Sequence, residues 1–222
     1  MSSHAEATEV VVPLEDTSLA GDLVLPEQAA GIVVFAHGSG SGRHSPRNRQ
    51  VAEQLNEAGL GTLLLDLLTA EEDEIDRITG EHRFDIPLLS ERVVAAVDWL
   101  RAGLAESLRI GLFGASTGAA AALVAAARRP DYVSAVVSRG GRPDMAGQAL
   151  LQVKAPTLLI VGGNDDRVVL ELNEQALELL RTEKRLVVLP GAGHLFEEPG
   201  ALEEVARLAA EWFLRYLADA TN

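Results

Sequence analysis

Cysteine is absent from the chain, which excludes disulfides, thiolate metal sites and a thiol nucleophile, and fits a reducing intracellular compartment. No apolar run approaches the roughly 20 residues of a membrane-spanning helix. The first residues, MSSHAEATEV, lack the basic-then-apolar order of a secretory leader. Together these point to a cytoplasmic protein. Basic charge is also scarce, with 19 Lys and Arg against 33 Asp and Glu, a formal charge of −14. That balance opposes attraction to nucleic acid or anionic membrane, so the expected partner is a small molecule. Phosphate-loop and zinc-hydrolase patterns are missing, and "HGSGSGRHS" fails the dinucleotide-binding spacing, because Arg43 and Ser45 stand where the third glycine is needed. No cofactor and no metal are expected.

What is present is a rhythm of short β-branched runs. "IVVFA" from Ile32, "TLLLD" from Thr62, "RIGLF" from Arg109, "SAVVS" from Ser134, "TLLIV" from Thr157 and "RLVVL" from Arg185 are each apolar on both faces, as strands buried on both sides would be. Segments with helical spacing lie between them, including "LLSERVVAAVDWLRAGL" from Leu88 and "LEEVARLAAEWFLRYL" from Leu202. The alternation predicts a three-layer α/β fold: about eight strands, mostly parallel, with helices on both faces. "EVVVPL" and "LAGDLVLP" read as an antiparallel hairpin at the sheet edge. No repeat or linker divides the chain, so residues 1–222 read as one domain, with 1–7 a flexible tail. The acidic run "EEDEID" from Glu71 reads as a solvated loop or helix start, the alternative being a flap within residues 67–87. No insertion is long enough for a large cap domain.

"FGASTG", residues 113–118, carries the chemistry. Ser116 follows a strand and precedes the helix-forming stretch "TGAAAALVAAARR". In a sharp strand-to-helix turn the serine takes a strained backbone conformation and projects its hydroxyl from the C-terminal edge of the sheet. Gly114 and Gly118 are required because larger side chains there would strike neighbouring backbone. A serine nucleophile needs a base, and histidine titrates in the right range. His194, in "PGAGHLFEEPG" after the last strand, is the candidate, whereas His4 lies in the tail. The imidazole needs an acid, and "LLIVGGNDDRVV" offers two: Asp165 fits a Gly-x-x-Asp-x-x-Val spacing from Gly162, and Asp166 fits it from Gly163. Asp165 is preferred, because it leaves Asp166 free to cap the next helix. Asp144 is a distant third.

The order Ser116, Asp165, His194 matches one convergent triad solution. The oxyanion donors are read as the backbone N–H groups of Thr117, after the nucleophile, and of Ser39, in the glycine-rich loop after the first parallel strand, with Gly40 next. His37 reads as a structural residue that orients this loop. His44 and Arg43 are read as loop polarity or as substrate contacts.

In these motifs, "FAHGSG", "GLFGASTG", "VGGNDDRV" and "GAGHLFEEP" in order, the chain resembles the α/β-hydrolase superfamily over nearly its whole length, and in size and spacing it is similar to the dienelactone hydrolase-like branch. The resemblance implies an eight-stranded sheet, a Ser-His-Asp triad and hydrolysis of small esters or lactones. The branch is named for enzymes with a cysteine nucleophile; serine here favours a general carboxylesterase. Arg83 and Arg139 read as surface ion-pairing residues, their other reading under the resemblance being contacts to a substrate carboxylate. The expected partner is thus a small ester. The alternatives are a lactone or thioester hydrolase of the same mechanism, or a non-catalytic ligand-binding protein on this fold. Oligomeric state is not read from the sequence.

Overall fold

The computed structural model describes residues 6–103 and 107–218. Most of the expected N-terminal tail, including His4, lies outside the described residues. Eight strands form one sheet: β1 (Thr8–Pro13), β2 (Ser18–Val24), β3 (Ile32–Ala36), β4 (Gly61–Leu65), β5 (Ile110–Ala115), β6 (Val133–Arg139), β7 (Thr157–Gly162) and β8 (Lys184–Leu189). Their spatial order is β1-β2-β4-β3-β5-β6-β7-β8. β2 runs antiparallel to both β1 and β4, and every pairing from β4 through β8 is parallel. The expected edge hairpin is therefore present.

The helices are α1 (Pro46–Glu57), α2 (Ala70–Thr79), α3 (Ile86–Ala102), α4 (Thr117–Arg128), α5 (Arg167–Leu179) and α6 (Ala201–Leu217), and Pro143–Gln152 adds 3₁₀ turns broken at Gly147. Side chains of successive strand residues alternate between faces. Val34, Leu63, Leu112 and Val136 accordingly pack under α3, α4 and α5, whereas Val33, Phe35, Phe113, Ala135 and Val137 pack under α1 and α6. Phe35 and Phe113 meet across β3 and β5 with ring centroids 4.8 Å apart, a tilted pair that anchors the second layer. α4 is placed by its small residues: Ala119–Ala122, Ala125 and Ala126 are fully buried, which lets its backbone approach the sheet closely.

One strand departs from its sequence pattern. The apolar run of β8 predicts burial on both faces, yet only Leu189 of its six residues is buried. It is the last strand of the sheet, paired on one side with β7 alone, so β-branched residues here mark strand propensity rather than two-sided burial. The acidic run forms the start of α2, where Thr69 and Glu72 make a reciprocal capping box and Glu71, Glu72 and Asp73 sit at the positive end of the helix dipole. Only α2 and a short loop separate β4 from α3, which leaves no room for a large cap. Among the described residues, no helix is long and apolar enough to cross a membrane.

The chain runs from β3 outward to β4, then returns past β3 to β5 and proceeds the other way. Between β3 and β5 the connections diverge, and their C-terminal ends leave the crevice where open α/β sheets hold ligands. "HGSGSG" follows β3 and Ser116 follows β5 at that edge.

Candidate active site

Ser116 sits between β5 and α4 with φ 50° and ψ −121°, one of two non-glycine residues with positive φ among those described. Such a conformation costs about 1–3 kcal/mol and persists only where the surroundings enforce it. They do so here: Ser116 N–H donates to Arg139 O (3.2 Å), and Ser116 O accepts from Ala119 N–H (3.1 Å) and Arg142 N–H (3.1 Å). A Cβ on Gly118 would lie 2.2 Å from Ala36 O, and one on Gly114 would lie 2.4 Å from Ala119 Cα. Although serine at a helix N-terminus usually caps it through its hydroxyl, Ser116 makes no such bond. Its half-buried Oγ is not spent on holding the helix.

His194 Nδ1 and Asp165 Oδ2 are 2.9 Å apart, and the Asp165 side chain is only 3% exposed. Asp165 Oδ1 accepts from Asp166 N–H at 2.7 Å. A carboxylate held at both oxygens fixes Nδ1 as the donor and leaves Nε2 open. Asp166 does something else: its carboxylate accepts from Val168 N–H (2.9 Å) and caps α5. Asp144 is engaged by Arg142 in a two-bond pair, at 2.8 Å each. The end of β6 touches both residues. Arg139 O holds the Ser116 amide, and a Cβ on the next residue, Gly140 (φ 51°), would be 3.0 Å from His194 O and 3.6 Å from His194 Cε1. Sequence alone gives no sign of this role, because Gly140 passes there for one more loop glycine.

Thr117 is buried and opens α4, so its N–H has no partner within the helix. Ser39 is exposed at a turn closed by Ser41 N–H to Gly38 O (3.2 Å), in which Gly40 has φ 66°. A Cβ on Gly38 would stand 3.1 Å from Ser116 Cβ, which puts this loop directly against the serine.

His37 locks the loop. Its Nδ1 lies 2.9 Å from Gly38 O, and its Nε2 accepts from Leu67 N–H at 3.0 Å. The imidazole is thereby held neutral, and burial pushes its pKa below the ordinary 6.5 against the opposing pull of Gly38 O, Asp66 and Asp73. Between 6.5 and the lowered native value, the unfolded chain binds a proton that the folded one does not. Stability therefore rises with pH across that window and is lost as pH falls through it. Urea midpoints between pH 8 and pH 5 should show this decline, and His37→Gln should flatten it. An equally steep decline in the variant would place the dependence elsewhere.

Arg43 is taken up by Asp66 and Asp22, and exposed His44 faces Asp22, beside a cavity of about 740 Å³ that Thr69 and Arg83 also line. Arg83 pairs with buried Asp76 at 2.9 Å. Burial alone would raise the Asp76 pKa, but bonds from the Arg83 and His82 amides and from the Arg83 side chain hold it below the usual carboxylate value. Arg139 departs from expectation. It is 7% exposed, and its Nε and Nη1 have no acceptor, so it is not a surface ion-pairing residue. Burial, with the Arg47 charge nearby, pulls its pKa down to about 10. Its position at the end of β6 hides this in the sequence, because an arginine after an apolar strand reads as a solvated loop residue.

Among the described residues no three His, Asp or Glu side chains are grouped to hold a metal ion. The family model described as the dienelactone hydrolase family matches residues 19–218. The chain belongs to the dienelactone hydrolase family. A crystal structure of a dienelactone hydrolase from Anabaena variabilis is 61% identical and superposes with a TM-score of 0.95 over 97% of this chain and 100% of that one. A lidless α/β serine hydrolase of Xanthomonas campestris, 21% identical over 98% of this chain and 97% of its own, shares the fold with a TM-score of 0.75. A Mycobacterium tuberculosis protein named "Putative phosphoribosyl transferase" is 56% identical over 94% of this dienelactone hydrolase family chain, which spans 46% of that relative.

Proposed function

We propose that the chain is a serine hydrolase of small carboxylic esters, working through an acyl-enzyme. The observation that carries this reading is the 2.9 Å bond between His194 Nδ1 and enclosed Asp165, beside a serine held at φ 50°. In the proposed reaction Ser116 Oγ attacks the ester carbonyl as His194 Nε2 takes its proton. Asp165 keeps the proton of Nδ1 in place and stabilises the imidazolium. The N–H groups of Thr117 and Ser39 receive the oxyanion, helped by the positive end of α4. The tetrahedral intermediate collapses, and the alcohol leaves with the proton from Nε2. Water, deprotonated by the same nitrogen, then releases the acid. Lactones are the second reading, favoured by the name of the 61% identical relative from Anabaena variabilis; there the leaving alcohol stays tethered to the acyl group.

A fluorophosphonate probe tests the core of this reading. Intact mass should show one adduct on the native chain and none on Ser116→Ala. A folded native chain that takes no adduct would leave a ligand-binding protein as the better description.

A further inference from the structure

Among the described residues the Arg139 guanidinium is a buried charge without an ion-pair partner. A buried charge without a partner carries a large desolvation penalty, which proteins normally offset with an ion pair. No carboxylate pairs with Arg139 among the described residues, and the charged group felt most closely is another cation, Arg47. The rest of the protein is strongly acidic, so a carboxylate in this place would have been easy to provide.

The surroundings are those of the serine. Arg139 O holds the Ser116 amide, and Gly140 abuts the His194 ring. Ala135 and Val137 of β6 belong to the core under α1 and α6, so alternation directs the Arg139 side chain to that same face. Arg47, whose charge bears on it, stands in the first turn of α1, and its Nη1 pairs at 3.2 Å with Glu197, three residues beyond His194. Arg47 Nε, like Arg139 Nε and Nη1, is enclosed without an acceptor. Arg139 Nη2 is not enclosed in this way. Nε and Nη2 together form the side-on fork of a guanidinium, which takes two oxygens of one anion.

We propose that Arg139 and Arg47 form a phosphate-accepting subsite beside Ser116, and that the preferred substrate is an ester carrying a phosphate group. The inference rests on the ester-hydrolase reading of the same site. A shift of the two side chains opens their enclosed Nε groups, so that two phosphate oxygens engage the Arg139 fork and the third engages Arg47 Nε. A carboxylate, with two oxygens, would fill the fork and leave Arg47 Nε unanswered. The anion supplies the missing counter-charge, so binding energy from a non-reacting part of the substrate orients the carbonyl over Ser116.

The test has two arms. In the first, calorimetry measures binding of inorganic phosphate to the native chain, Arg139→Lys, Arg139→Met and Arg47→Gln. Binding should be present in the native chain, weakened in Arg47→Gln and in Arg139→Lys, which keeps charge without the fork, and lost in Arg139→Met. In the second, kcat/KM is compared for matched esters carrying phosphate, carboxylate or methyl at the same chain length. The phosphate ester should lead, and Arg139→Lys should cut its advantage over the methyl ester about thirtyfold. Absent phosphate binding, binding equal in all four proteins, or a preference for the carboxylate ester would overturn the proposal. Phosphate binding without turnover of any ester would overturn the hydrolase reading and leave the subsite standing. Turnover indifferent to phosphate would do the reverse.

Discussion

Asp165→Asn should lower kcat on an activated ester about 10,000-fold, whereas Asp166→Asn should leave it within a factor of about three. The two residues are adjacent and fit the same local spacing, but their carboxylates have different work. Asp165 Oδ2 meets His194 Nδ1 at 2.9 Å from an enclosed position. An asparagine amide turned toward Nδ1 would donate to it, force the proton onto Nε2 and remove the base from the serine. Where the carbonyl turned inward instead, the developing imidazolium would lose its counter-charge. Asp166 is exposed and caps α5 through Val168 N–H. Asparagine caps a helix as well as aspartate, so that substitution keeps the bond. Asp166→Ala should cost about 1 kcal/mol of stability with kcat retained, which urea midpoints beside the kinetics would show. Equal mild losses in the two Asn variants would mean that neither is the acid.

The Asp pair marks where the sequence stops being legible. The residues offer two candidate acids after β7, and because a one-residue shift of the Gly-x-x-Asp-x-x-Val pattern leaves an equally good match, the preference for Asp165 rests there only on the cap that Asp166 can supply. In the structure Asp166 is consumed by the α5 cap, and Asp165 stands in a turn in which its N–H donates to Gly162 O at 3.1 Å. The strands of the middle of the sheet are legible for the opposite reason: burial on both faces leaves each as an unbroken apolar run, and no other element of that length has such a composition. β8 carries the same run without the burial, since sequence encodes strand propensity and not position in the sheet. Arg139 misleads in sequence because an ion pair is a statement about two residues. Nothing in "SAVVSRGG" tells that no carboxylate comes near. His37 is legible as a structural residue, although its partner Leu67 N–H, thirty positions away, belongs to the loop after β4 and cannot be named from the residues alone.

Gly118→Ala should cost about 4 kcal/mol or more, enough to unfold much of the population at ordinary temperature. One methyl group has this effect because of what it meets. Its Cβ would be 2.2 Å from Ala36 O and 2.4 Å from His37 O, well inside contact distance and against backbone rather than a flexible side chain. β3 cannot retreat, since it is hydrogen-bonded to β4 on one side and to β5 on the other. α4 cannot rise either without uncovering its buried alanines. Relief must therefore come from the turn at Ser116, the strained element between them. Circular dichroism melts would register the loss, and residual folded protein should label with fluorophosphonate far more slowly than the native chain, because the same displacement moves Thr117 N–H, the proposed oxyanion donor, away from Ser116. A variant that melts like the native chain would show that the helix stands farther from β3 than 2.2 Å implies, and would remove the close approach on which the geometry of Ser116 depends.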